Sequence, residues 1–387
     1  MIVRRSYVYR IYPNKAQTEK LTWTLDRCRE LYNAGLEERR EAWRMCGASV
    51  NYYTQQAQLS SIKNEVRPEY KQITAQVLQG VLLRLDRAFD AFFRRIKNGE
   101  KPGYPRFKGK HRYNSLTFTQ NGWKIADKRL KIAGVGHIKV KWHRGIEGEI
   151  KTVTVKRDAD QWYVVFSCLV EVEPRPTADL PPVGIDMGLE YFATLSTGEH
   201  VENPRYYRKA QEAIARHDRA MRRRKRGGKN RAKAGILLKR AHRHVANQRK
   251  DMQHKLSRRI VEQHGAVVVE DLSIDNMSKR PKPIKNDDGT YAPNGASAKA
   301  GLNKSITDAA WGQFISFLTY KAASAGTIMV KVNPHGTSQH CSRCGAKCPK
   351  TLDVRWHRCA ACGLSLQRDT NAARNILHRA GLARSVA

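Results

Sequence analysis

Val183-Gly184-Ile185-Asp186-Met187-Gly188 is a short apolar strand interrupted by a single acid. A lone carboxylate buried in a core is either protonated or partnered, and a divalent cation is the usual partner for an acid set in a strand. The same anomaly recurs twice downstream. Glu270 closes the apolar run Ala266–Val269, and Asp369 opens the last helical stretch, in which Ala372, Ala373, Ile376 and Ala380 recur on one face. Each acid alone has a plain reading, as a turn residue before Gly188, a strand terminus and a helix N-cap. Three such acids in this order point to a metal-dependent site, with Glu190 and Asp271 as weaker candidates.

The elements around these acids favour an α/β domain. Strands at 183–188, YFATLST and GEHVE precede a long basic helical hairpin over about 205–264, whose turn lies near Gly227-Gly228. A strand at 265–271, a Lys-, Pro-, Asn- and Gly-rich loop over 278–304, a helix over 306–325, a strand at 327–332 and a last helix from Asp369 follow. This is the element order of a ribonuclease-H-like fold, in which the first and fourth strands lie side by side and parallel. Asp186 and Glu270 are then expected to face one pocket, with Asp369 delivered by the last helix. Three clustered carboxylates suit phosphodiester hydrolysis with two Mg²⁺ about 4 Å apart, Mn²⁺ being an alternative.

The N-terminal half has a different rhythm. VRRSYVYRIY (3–12) is strand-like, and Asn14 with Gln17 forms a capping-box helix start. Leu21, Leu25, Cys28, Tyr32 and Leu36 then share one helical face, as do Leu78, Val81, Leu82, Leu85, Phe89, Phe92 and Ile96. Together with a weaker segment at Tyr52–Ile62 they predict a helical bundle over 14–98. From Ser115 to Glu173 the period changes to two, in short strands separated by Gly, Asn and Asp turns, which favours a small antiparallel barrel that strand 3–12 joins. Pro174, Pro176, Pro181 and Pro182 mark a linker.

Five of the eight cysteines lie between Cys341 and Cys362. Cys341-x2-Cys344 and Cys359-x2-Cys362 form a zinc-ribbon pattern, with Gly345 and Gly363 following the pairs as the tight turns require. One structural Zn²⁺ is expected, with Cys348 a bystander or a replacement for Cys344, and His340 or His357 as further substitutes. The formal net charge is +37, from 72 basic and 35 acidic residues. A charge of that size needs a polyanionic partner, nucleic acid above all. The clustered Arg222, Arg223 and Arg224 in the hairpin are candidate phosphate contacts. The chain contains no run of 18 apolar residues and no signal-peptide stretch after Met1, which places it in the cytoplasm, away from membranes.

RIYPNKAQTEKL (10–21), LYNAGLEERR (31–40), YPRFKGK (104–110), VGIDMGLEYFATLSTG (183–198), NQRKDMQHKLSRRIV (247–261), VVVEDLSIDNM (267–277), SQHCSRCG (338–345) and CAACGLSLQRDTNAARNI (359–376) resemble the TnpB family, transposon-encoded relatives of type V CRISPR effectors. The resemblance covers nearly the whole chain. It implies a multidomain α+β protein: a β-barrel wedge domain over 1–13 and 99–175, a helical recognition domain over 14–98, a linker over 176–182, a RuvC-like nuclease domain over 183–335 and 367–387, and a zinc ribbon over 336–366. It also implies a guide RNA from the transposon end, a double-stranded DNA target, and a short target-adjacent motif, for which Tyr52, Tyr53 and Gln79 are the candidate readers. Asp186, Glu270 and Asp369 match the family's catalytic acids. The chain departs from many relatives in having Gln367 where they have an acid, and in stopping shortly after the last helix. A monomer bound to RNA is expected. The competing readings are a DNA-binding repressor on the same scaffold, which usually loses one or more of the acids, and a transposase, which would join strands as well as cut them.

Overall fold

The computed structural model describes residues 1–110, 112–173, 179–351 and 353–382. Residues 174–178 of the proline-rich segment lie outside them. The chain divides into two compact units, Ile2–Glu171 and Val172–Ala387.

The first unit is built on a seven-stranded antiparallel sheet that coils into a nearly closed barrel. Strand Ile2–Tyr12 is central. It pairs along its length with Gln161–Glu171, from Ile2 opposite Glu171 to Ile11 opposite Trp162, and at its end with Gly136–Lys141. Strict alternation puts Tyr7, Tyr9 and Ile11 inside with Trp162, Val164, Phe166 and Cys168. Tyr9 centres an aromatic core, its ring 4.7 Å from Trp142 and 5.9 Å from Phe166.

The helical bundle is inserted after the central strand. Helix Lys15–Cys46 begins with the expected capping box: Gln17 N–H donates to Asn14 Oδ1 at 2.9 Å, and Asn14 N–H donates to Gln17 Oε1 at 3.0 Å. It packs on helix Ala75–Lys97 through the two apolar stripes seen in the sequence, Leu21, Leu25, Cys28, Tyr32 and Leu36 on one side and Leu78, Val81, Leu82 and Leu85 on the other. The weaker stretch between them breaks into short helices, Tyr52–Ala57 being the first.

The second unit holds a five-stranded sheet in the order His200–Glu202, Tyr191–Leu195, Pro182–Asp186, Ala266–Glu270, Ile328–Val332. The last three strands are parallel to one another. Pro182 is the first residue of its strand, where a missing N–H is tolerated. On one face, Val183, Ile185, Val267 and Val269 join Ile260, Phe314 and Leu318 from helices Lys229–Gln263 and Trp311–Ala325. On the other, Val268 and Val332 meet Ile376 of helix Arg368–Arg379.

One expectation is overturned. The loop predicted over 278–304 contains the start of a helix, Ala296–Ala309, and the helix predicted over 306–325 is two helices broken at Ala310, whose φ of 53° is left-handed. Lysine and asparagine gave the segment a loop-like composition, but its four alanines between 296 and 309 favour helix, and Ile306 and Ala309 bury it. No helix among the described residues is long and apolar enough to cross a membrane.

Candidate active site and cysteine centre

Side chains alternate along a strand, so Gly184 and Asp186 face the opposite side from Val183 and Ile185. The parallel register pairs Ile185 with Val269, and the next residues along the two strands are Asp186 and Glu270. Both therefore project toward the face covered by helix Arg368–Arg379. Gly184 sets how close that helix can come. A Cβ there would sit 2.2 Å from the Ala373 carbonyl oxygen and 2.9 Å from the Leu377 nitrogen, so only glycine fits. The close approach brings the helix's first turn, with Asp369, to the end of the strand that carries Asp186.

The electrostatics follow from this placement. Burial pushes the Asp186 carboxyl well above the usual carboxylate range, and the charges of Glu270 and Asp369 push it further, with Arg368 opposing. Glu270 is buried and also raised, first by burial, while its hydrogen bond from Thr337 and the charge of Arg379 pull the other way. Asp369 is not an N-cap. Gln367 holds that position without a side-chain cap, and Asp369 lies inside the first turn, where it accepts from Arg368 Nε at 3.3 Å. Asp186 thus feels the charge of both other acids, with Arg368 opposing it and Arg379 opposing at Glu270, an acidic surplus that a cation would neutralise. Among the described residues, donor atoms packed within 4.8 Å of one another occur at the cysteines and not at these acids.

Asp271 and Glu190 are exposed and ion-paired, Asp271 with Lys331 at 3.1 Å and Glu190 with Arg355 at 3.2 Å. Neither is needed for the cluster.

The sequence reading missed the groups that steady the acids. Thr337 Oγ1 donates to Glu270 Oε1 at 2.6 Å in a buried setting. Asn371 and Asn375, one turn apart on the last helix, are buried: Asn371 accepts from Ser342 N at 2.9 Å and donates to His340 O at 2.7 Å, and Asn375 donates to Thr337 O at 2.8 Å and His340 O at 2.7 Å. Helix-interior asparagines spaced by four were the available signal, since asparagine is a poor helix former unless its amide has a job.

Cys341, Cys344, Cys359 and Cys362 bring their four sulfurs within 4.8 Å of one another. Sγ–Sγ separations are 3.6 Å for Cys341–Cys362 and 3.5 Å for Cys344–Cys359. Thiolates 2.3 Å from a tetrahedral Zn²⁺ would stand about 3.8 Å apart, so the donors fit zinc. Burial pushes the Cys359 thiol up, but hydrogen bonds from the Cys362 and Ala361 backbone and from the Cys344 thiol outweigh it and bring it down to about 6. Cys348 forms a second donor group with His357 and Cys359. His340 is turned away, its Nδ1 2.9 Å from Gly336 O.

The other candidates are dispersed. Arg222, Arg223 and Arg224 are exposed at the hairpin tip, Arg222 pairing with Asp218 at 2.8 Å. Arg231, unnoticed in the sequence, donates to the carbonyls of Met221 and Arg224 and closes the end of helix Tyr206–Arg222. Tyr53 is 77% exposed and stands edge-on to the half-buried Tyr52; Gln79 is half-buried on helix Ala75–Lys97.

A protein from Streptomyces pristinaespiralis, named as an RNA-guided DNA endonuclease, is 35% identical over 391 residues, covering 99% of this chain and 90% of its own. The chain belongs to the TnpB family. The Escherichia coli member InsQ, also named as an RNA-guided DNA endonuclease, is 29% identical over 96% of this chain and 91% of its own. Residues 165–281 match a family of IS605 elements described as a probable transposase, and residues 311–376 match the Cas12f1-like TNB domain. Residues 1–47 match a family described as a helix-turn-helix domain, although here they form one strand and one long helix. A Cas12f1 endodeoxyribonuclease of Sulfoacidibacillus thermotolerans is 42% identical over 60 residues, 15% of this chain and 14% of its own.

The packing of this TnpB chain makes Gly184 the easiest place to test it. Gly184→Ala should lower stability by ~1–3 kcal/mol, the usual cost of forcing atoms into a packed core, and should depress any activity that needs Asp369 beside Asp186. Thermal unfolding checks it; an unchanged midpoint would mean that the last helix does not lie against Gly184.

Proposed function

We propose that this chain is a metal-dependent DNA endonuclease guided by a bound RNA, acting in the prokaryotic cytoplasm on double-stranded DNA beside a short target-adjacent motif. The observation that carries the reading is the convergence of Asp186 and Glu270 on neighbouring parallel strands with Asp369 on the helix that crosses Gly184. Two Mg²⁺, or Mn²⁺, held there would supply Lewis acidity at the scissile phosphate and an activated water.

The chain's own residues then divide the work. Asp186, Glu270 and Asp369 would hold the ions, whose charge would offset the burial and the neighbouring acids that raise the Asp186 carboxyl. Thr337 fixes one oxygen of Glu270 and leaves the other for metal. Arg368 sits next to Asp369 and limits its swing. Cys341, Cys344, Cys359 and Cys362 hold one structural Zn²⁺ with no open position, so the zinc orders the segment and takes no part in cleavage. Specificity for the cut site lies in base pairing between guide and target, while the protein grips the backbone. Tyr52, Tyr53 and Gln79 are assigned to reading the target-adjacent motif.

The metal requirement is tested with protein dialysed free of Mg²⁺ under conditions that keep its zinc, verified by metal analysis, and its copurified RNA. Matching duplex should be cut when Mg²⁺ is restored and remain intact without it; cutting in excess chelator would remove the acids from the mechanism.

The hairpin arginines are assigned to phosphate contacts. Reversing charge at Arg222, Arg223 and Arg224 together should flatten the slope of log affinity against log salt by roughly two to three units, because each lost phosphate contact removes about 0.7–0.9 of a released counterion. The preferred guide and motif should not change. Binding across a salt series decides it, parallel slopes for variant and wild type showing that the hairpin tip does not hold the nucleic acid.

A further inference from the structure

At the end of helix Ala75–Lys97 the first unit leaves a cluster of aromatic rings in the open. Phe89, Phe92 and Phe93 come from the last turns of the helix, and Tyr104 folds back from the loop that follows. Tyr104 stands edge-on to Phe92 at 5.3 Å and to Phe89 at 5.6 Å, and Phe93 lies near-parallel to Phe89 at 6.3 Å. Phe93 is 59% exposed and Tyr104 45%. The cluster is held from below. The buried Arg39 guanidinium lies 5.2 Å from the Phe89 centroid and is fixed by Gln55 and Asp86, each at 2.9 Å. Asn33 holds the loop's far end through two hydrogen bonds to the Lys108 backbone. The rings are therefore presented by a rigid base.

Their surroundings select the partner. Between residues 91 and 110 the chain has seven cations, at Arg94, Arg95, Lys97, Lys101, Arg106, Lys108 and Lys110, against the single acid Glu100. An apolar protein face would strip water from those cations without repaying it, whereas a polynucleotide offers phosphates to the cations and flat base faces to the rings. We propose that this cluster is a stacking platform for unpaired bases of the guide RNA. RNA is the occupant because, on the function proposed above, it is the resident partner, and an exposed aromatic patch needs cover throughout the protein's life and not only during target encounter. The inference rests on that reading for the identity of the strand.

The complex purified from cells is irradiated with ultraviolet light and digested, and ribonucleotide adducts are mapped on the tryptic peptide Ala88–Arg94. Adducts are expected at Phe92 or Phe93, lost in Phe93→Ala and retained in Phe93→Trp. In parallel, the wild-type protein freed of RNA and the Phe93→Ala variant are titrated with labelled single-stranded oligouridine. The variant should bind about tenfold more weakly with an unchanged salt slope, since stacking, unlike phosphate contact, releases no counterions. Phe93 is mostly exposed, so its melting curve should not move. The platform is overturned if the peptide stays clean while adducts appear elsewhere, if its adducts are deoxyribonucleotides, if affinity is unchanged, or if the variant's only effect is to abolish self-association of the RNA-free protein. None of these readouts requires cleavage: adducts on a complex that never cuts DNA would leave the platform standing and refute the endonuclease.

Discussion

Replacing Asp186 with alanine should reduce DNA cleavage by roughly a thousandfold or more while leaving the affinity for RNA and target DNA nearly unchanged. Metal at a reacting phosphate contributes several kcal/mol to the transition state, and each ~1.4 kcal/mol is a factor of ten in rate. Asp186 is the acid whose carboxyl feels both partners, and on the proposed function its loss removes a metal ligand. The same substitution should not destabilise the metal-free protein and should stabilise it slightly, because burial and two neighbouring acids already disfavour the charged form. A variant that unfolds more easily without metal would show that Asp186 is structural. One that still cuts at wild-type rate would place the chemistry elsewhere.

Replacing Cys341 or Cys359 with serine should release about one zinc per chain and unfold the segment between Cys341 and Cys362. The small cluster that holds the ribbon has Cys341, Cys359 and Leu364 buried and Ala346, Cys348, Cys362 and Leu366 partly buried against them, little apolar area to order the segment unaided. Structural zinc supplies about 10–16 kcal/mol in comparable small sites. The damage should spread. Ser342 and His340 are hydrogen-bonded to Asn371 and Asn375 of the helix carrying Asp369, and Asn375 also holds Thr337, which in turn holds Glu270. Cleavage should therefore fall steeply although the cysteines lie outside the acid cluster. Metal analysis with an activity assay checks both halves. Absence of zinc from the wild-type protein would refute the site, and a zinc-free variant with full activity would refute the coupling.

The acids and cysteines could be read from the sequence because each violates its surroundings. A carboxylate in an apolar strand and paired thiols at fixed spacing are costly patterns with few physical explanations. The β-barrel strands and the capping box at Asn14 were legible for the converse reason: local preference and tertiary role agree there. Thr337, Asn371 and Asn375 were not legible, because a polar residue becomes informative only once it is known to be buried. The helix at Ala296–Ala309 was hidden by lysines and asparagines that mimic a loop. Gly184 has a different lesson, since glycine in a strand signals close backbone approach, and only the fold shows that the approaching backbone belongs to Ala373.

On the proposed function, a bound RNA directs the cut. The direct measurement is to sequence the RNA that copurifies with the protein, replace its guide portion, and assay plasmids bearing matches to the old and new guides beside randomised flanks. Cleavage should follow the new guide, require one short flanking motif, and vanish in Asp186→Ala. Cutting that ignores the exchanged guide, or a purified protein that carries no discrete RNA, would contradict the account.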